Sequence, residues 1–108
     1  MSVSYTADAV IERRKTVTRR LGWRFLKVGD RLTLCRKVMG RTPGEPLERL
    51  AEVEVVALRR EALIDITADD VVREGFPEMT PFDFVQFFRE HMGGQAYQTV
   101  TRIEWRYL

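Results

Sequence analysis

Two stretches of strict alternation, at residues 50–58 and 99–108, constrain this chain more than any other feature. In the first, Ala51, Val53, Val55 and Ala57 share one face and Glu52 and Glu54 the other. In the second, Thr101, Ile103, Trp105 and Tyr107 line one face, with Arg102, Glu104 and Arg106 opposite. A period of two marks strands with one face on a core and the other toward water. A third strand is expected at residues 31–37, where Leu32 and Leu34 alternate behind the turn Val28-Gly29-Asp30. The β-branched, basic run Lys15-Thr16-Val17-Thr18-Arg19-Arg20 reads as a loop entering a short strand, ended by Gly22 and Trp23. Pro43, Gly44 and Pro46 mark residues 40–46 as a loop.

Helices are short and few. Residues 6–14 read as one, with Thr6 as N-cap, Asp8 in the first turn and Ala7, Val10 and Ile11 on one face. Thr67-Ala68-Asp69-Asp70 resembles a capping box, opening a helix that Gly75 ends. Thr80-Pro81-Phe82-Asp83 opens another, with Pro at its first position, which stops at Gly93-Gly94. Phe84, Phe87 and Phe88 form its buried stripe. The chain's 108 residues allow one domain, 1–108. The expected class is α+β, with the sheet curling into a small β-barrel of about five to six strands flanked by two or three helices.

Several functions are excluded by what the chain lacks. No run of about 18 apolar residues is present, so no membrane-spanning segment is expected. The first ten residues have neither a basic stretch nor a continuous apolar one, against a secretory leader. Cys35 is the sole cysteine, so no internal disulfide can form, and a reducing, cytoplasmic setting is expected. Cys35 and the sole histidine, His91, cannot make a zinc site of the usual kind, so neither metal nor cofactor is expected. Both read as structural residues.

The net charge of +2 conceals an uneven distribution. Residues 12–41 hold eleven basic side chains against two acidic ones, whereas residues 42–95 hold five against twelve. Kept apart, the first block would present a positive field that attracts phosphates. Folded together, the blocks would pair off as ion pairs.

The run Arg14-Lys15-Thr16-Val17-Thr18-Arg19-Arg20 after the first helix resembles the signature of ASCH domains, members of the PUA-like superfamily of small β-barrels associated with RNA. The turn Leu26-Lys27-Val28-Gly29-Asp30, the acidic helix ending Val72-Arg73-Glu74-Gly75, and the closing strand Val100-Thr101-Arg102-Ile103-Glu104-Trp105 agree in the same order. The resemblance implies a cleft lined by the basic loop. It also implies a kinship with small bacterial amidohydrolases that remove the acetyl group from acetylcytidine through a lysine, a threonine three residues later and a distant glutamate. Those positions fall here on Lys15, Thr18 and Glu74, and the arginine closing the loop falls on Arg20. Arg13 stands where the family carries glycine, which would allow a positive φ.

The residues themselves can support that chemistry. A cleft lysine can stabilise an oxyanion or, with burial lowering its pKa, act as a base. Glu74 is a candidate base, and Thr18 a candidate nucleophile or substrate-orienting hydroxyl. Arg14, Arg19, Arg20, Trp23 and Arg24 are the candidate ligand-binding set, since aromatics interleaved with arginines can stack on unpaired bases. The leading expectation is an RNA- or modified-nucleoside-binding domain with a basic cleft. The alternatives are an amidohydrolase acting on an acetylcytidine-like nucleoside and a protein-interaction module.

Overall fold

A computed structural model describes all 108 residues. The alternating segments form its two long strands, β3 (Arg49–Ala62) and β4 (Thr99–Tyr107), paired antiparallel. Shorter strands flank them, β1 (Val17–Arg20) on β4 and β2 (Arg31–Cys35) on β3, giving the order β1-β4-β3-β2. The α+β class holds, but the sheet has four strands and does not close into the expected barrel. Residues 36–48 contribute no strand. Instead the N-terminal residues lie along β2: Ser2 makes a single parallel bridge to Cys35, and the Ser2 carbonyl accepts a bond from the Arg20 guanidinium at the end of β1.

The long strand β3 continues past the expected residue 58 and changes face on the way. Val55 pairs with Trp105 and Ala57 with Glu104, leaving Val56 as an extra, bulged residue. A one-residue slip exchanges the two faces of a strand. Val53 and Val55 therefore point into the core, while Ala57 does not share their face as the alternation predicts; Leu58, paired with Ile103, does. Beyond the bulge Arg59 pairs with Arg102, and Arg60 with Thr101.

The helices are α1 (Ala7–Ile11), α2 (Ala68–Glu74) and α3 (Pro81–Met92), with short 3-10 turns at Ser4–Thr6 and Leu63–Asp65. The first helix is shorter than expected, and Thr6 makes no capping bond because a 3-10 turn runs straight into α1 and leaves Thr6 at ψ 27° rather than extended. At α3 the Thr80 hydroxyl and the Asp83 carboxylate form the reciprocal capping box. At α2 Thr67 caps as expected, but Asp70 does not complete the box, because its carboxylate is turned onto two arginines. No helix is long and apolar enough to cross a membrane.

Two cores result. One lies on the inner face of the sheet, from Val3, Val10 and Leu34 to Ile103 and Trp105. The other packs α2 and α3 through Val71, Phe84, Val85 and Phe88 against Leu63 and Val100. On the polar face of β4, Arg102 is 4% exposed and bonded to Asp70 of α2, while Arg106 stays open to solvent. The candidate site lies where the two cores meet.

Candidate functional site

Lys15 reaches the site through a loop whose backbone is pinned at each step. The chain leaves α1 through Arg13, which adopts the left-handed conformation at φ +60° that the missing glycine would have taken freely. Arg13 rests over the Tyr107 ring, 5.5 Å from its centre. The Lys15 carbonyl then accepts bonds from the Trp105 indole and the Tyr107 hydroxyl, and Thr16 N–H donates to the Arg73 carbonyl. These contacts leave the Lys15 side chain no route but inward.

Inside, Lys15 Nζ donates to the Glu74 main-chain carbonyl at 2.7 Å and to Glu74 Oε1 at 2.9 Å. Both side chains are almost wholly buried, at 4% and 3% exposure. The pairing explains a carboxylate placed at the unfavourable end of a helix dipole. The lysine satisfies the last carbonyl of α2 and balances the carboxylate together. Gly75 follows at φ +105°, and its backbone passes so close to α1 that a Cβ would stand 3.0 Å from Ala9 and 3.1 Å from Thr6. Burial lowers the Lys15 pKa, and the Glu74 charge and hydrogen bond only partly restore it.

Thr18 Oγ1 lies in the same cleft and accepts a bond from Arg20 Nε at 3.2 Å. Arg20 also donates to the Ser2 carbonyl, and neither partner is a carboxylate. Its half-buried guanidinium is thus a positive charge with no ion pair beside the threonine, its pKa lowered by desolvation against the opposing pull of Glu74.

Arg19, between Thr18 and Arg20 on β1, also lines the cleft but carries its guanidinium onto the carboxylates of α2. It donates to Asp70 at 2.6 Å and lies 3.5 Å from Glu74 Oε2. Asp70 and Glu74 are one helical turn apart, so they grip Arg19 between them. Arg102 donates to both Asp70 oxygens, at 2.7 and 3.1 Å. Burial alone would raise the Asp70 carboxyl, but the hydrogen bonds from Arg102 and Arg19 outweigh it and hold the group far below the usual carboxylate range. The basic and acidic blocks therefore interlock here rather than standing apart.

The cleft has a volume of about 200 Å³. That is smaller than drug-sized ligand sites of ~300–1,000 Å³. Lys15, Thr18, Arg20 and Glu74 form its polar end, and Tyr5, Phe76, Phe84, Phe87 and Met92 its apolar wall. The Phe76 and Phe87 rings pack 4.9 Å apart, and Tyr5 meets Phe87 edge-on at 5.3 Å.

The structure thus brings Lys15, Thr18, Arg19, Arg20 and Glu74 together around one cleft. Arg14 instead lies on the surface paired with Glu12, and Trp23 and Arg24 line a separate groove. Sequence reading missed the wall. It took the α3 phenylalanines for core alone and gave Tyr5, Phe76 and Met92 no part, although Phe87 is only half-buried and faces the cleft.

An open four-stranded antiparallel sheet with helices packed on it makes this an α+β domain. The chain has the fold of an ASCH domain. It is similar to the crystal structure of an ASCH domain from Lactobacillus crispatus JV V101 (TM-score 0.65, 12% identity, 99% of this chain and 75% of that one). It is also similar to that of a DUF984-family protein from Enterococcus faecalis V583 (TM-score 0.68, 13% identity, 97% and 71%). No family model matches the sequence, and no curated protein does.

Proposed function

We propose that the cleft binds the base of a modified nucleoside and hydrolyses an acyl amide on its exocyclic nitrogen, as in an acetylcytidine. One observation carries this reading. A lysine with a lowered pKa is held by a buried glutamate at the polar end of a base-sized, aromatic-walled cleft that also holds a threonine hydroxyl.

The hydrogen bonds suit a lysine that works in both protonation states. A neutral amine has two N–H donors, and Glu74 accepts both, leaving the lone pair for the cleft. In the proposed reaction Lys15 takes the proton of the Thr18 hydroxyl as Thr18 Oγ1 adds to the acyl carbon. The oxyanion forms facing Arg20, which makes no ion pair. As the carbon–nitrogen bond breaks, the leaving exocyclic nitrogen takes the proton back from Lys15. Water then hydrolyses the threonine ester, with Lys15 again accepting a proton and returning it to the threonine oxygen, which frees the acid. Glu74 keeps Lys15 aimed throughout, and the phenylalanine wall excludes bulk water from the base.

The buried pairing of Arg19 favours this small-ligand reading over a phosphate-binding face built on the same loop, since Arg19 has no free charge to offer. The test is to incubate the chain with acetylcytidine and follow cytidine and acetate. Turnover is expected for the native chain. Thr18→Ser should retain part of it and Lys15→Ala and Glu74→Gln should abolish it. Absence of turnover on any acylated nucleoside contradicts the reading.

A further inference from the structure

A second concavity, of about 270 Å³, has no part in that reaction. Trp23, Arg24, Leu26, Leu58, Arg60 and Thr101 line it, together with Arg59, whose guanidinium is paired with Glu61. Arg24 makes no ion pair, and Arg60 donates to the Thr101 hydroxyl rather than to a carboxylate. Two guanidinium charges are thus left uncompensated at one groove. Beside them stands Trp23, held at φ +56° after Gly22 at φ +76°. A bulky residue occupies that region only where its surroundings over-determine it. Here the Thr101 hydroxyl bonds the Gly22 carbonyl and the indole packs on the sheet core. Phe25, 71% exposed, lies 5.3 Å from the Trp23 ring.

An aromatic face beside two guanidiniums that no carboxylate pairs matches a nucleic-acid base and its phosphate, with stacking on one and charge on the other. An acidic peptide would use the arginines and leave the rings without a partner. The two concavities are also linked across the sheet. Arg20 lines the first, and it pairs in register with Thr101, which pairs with Arg60; the latter two line the second. Arg20 and Arg60 therefore stand two strand spacings apart, about 10 Å. That gap calls for a strand of nucleotides rather than a free nucleoside.

We propose that this groove is a subsite for the nucleotide neighbouring the modified one, so that the substrate class is a single-stranded oligonucleotide. Occupation of the groove stands on its own residues; only the position of the modified base rests on the function proposed above.

The experiment is fluorescence anisotropy of a labelled six-nucleotide cytidine oligoribonucleotide with the full chain, with cytidine and hexaglutamate as competitors. The oligonucleotide should bind at least about tenfold more tightly than cytidine, and Arg24→Glu should weaken it about tenfold. Arg24→Ala should lower the salt slope by about one. Arg24 is exposed and unpaired, so its variants keep the fold. Stacking should quench Trp23 emission, a change Trp23→Phe removes. Affinity unchanged in Arg24→Glu would overturn the groove assignment, as would hexaglutamate competing as well as RNA. Loss of acetate release with groove binding intact would instead count against the chemistry alone.

Discussion

Lys15 and Glu74 lie 59 positions apart, yet the amine of one closes on both the main-chain carbonyl and the carboxylate of the other. This contact joins the loop after α1 to the end of α2, so the same bond that completes the site also locks two elements of the fold. Its energetics follow from burial. Two charges taken out of water are held by each other, and removing one strands its partner.

Lys15→Met is therefore expected to cost about 3–5 kcal/mol, as is Glu74→Met, while the double variant should recover much of the loss. Urea denaturation of the three chains checks this. The double variant should fold and show no acetate release. Additive losses would mean the pair is not coupled.

Asp70 governs stability toward acid. Its carboxyl is held far below the ordinary value when folded, so the stabilisation is complete above the unfolded value, about 3.9. It is lost as pH falls from there toward the folded value. Glu104, held below its usual range by Arg102 and Arg73 against its own desolvation, adds the same sign. The urea midpoint should fall steeply between about pH 5 and pH 2 and less steeply in Asp70→Asn, which is also less stable at neutral pH. Parallel profiles for the two chains would remove Asp70 from the acid response.

Arg13 carries a local strain that a β-branched side chain would deepen. Arg13→Val should lower stability by about 1–2 kcal/mol, whereas Arg13→Gly should fall within about 1 kcal/mol of the native chain. The glycine relieves the left-handed residue but gives up the contact with Tyr107. Thermal melts of both variants decide it. A tolerated valine would show that the loop does not hold this conformation.

Gly75→Ala should harm both stability and site. Its Cβ would meet Ala9 and Thr6 at about 3 Å in a conformation alanine resists. The end of α2 must then move, and Glu74 with it. The expected result is a loss of about 1–3 kcal/mol together with reduced acetate release. A native melt and native turnover would contradict the close approach.

Much of the frame was readable because it is written in local patterns. The period-two runs located β3 and β4, and the caps at Thr67 and Thr80 and the stops at Gly75 and Gly93 located α2 and α3. What escaped depends on single residues or on distant ones. The bulge at Val56 reverses the faces of β3 without any change in composition. The bridge from Ser2 to Cys35 is one pair long and has no periodicity to show. Asp70 looks like a capping residue because its spacing from Thr67 is right, and only the fold reveals that Arg19 and Arg102 claim its carboxylate. Lys15, Thr18 and Glu74 could be nominated from a resemblance, but the wall of Tyr5, Phe76 and Phe87 is gathered from three places along the chain.

The central claim, that a buried lysine of lowered pKa faces a base-sized cleft, is tested most directly at Lys15 itself. The measurement is a pH titration of the Lys15 ε-carbon resonance by NMR, with and without cytidine. The account predicts a midpoint below that of ordinary lysines and a shift of both resonance and midpoint when cytidine is added. A resonance that titrates with the surface lysines and ignores cytidine would contradict it.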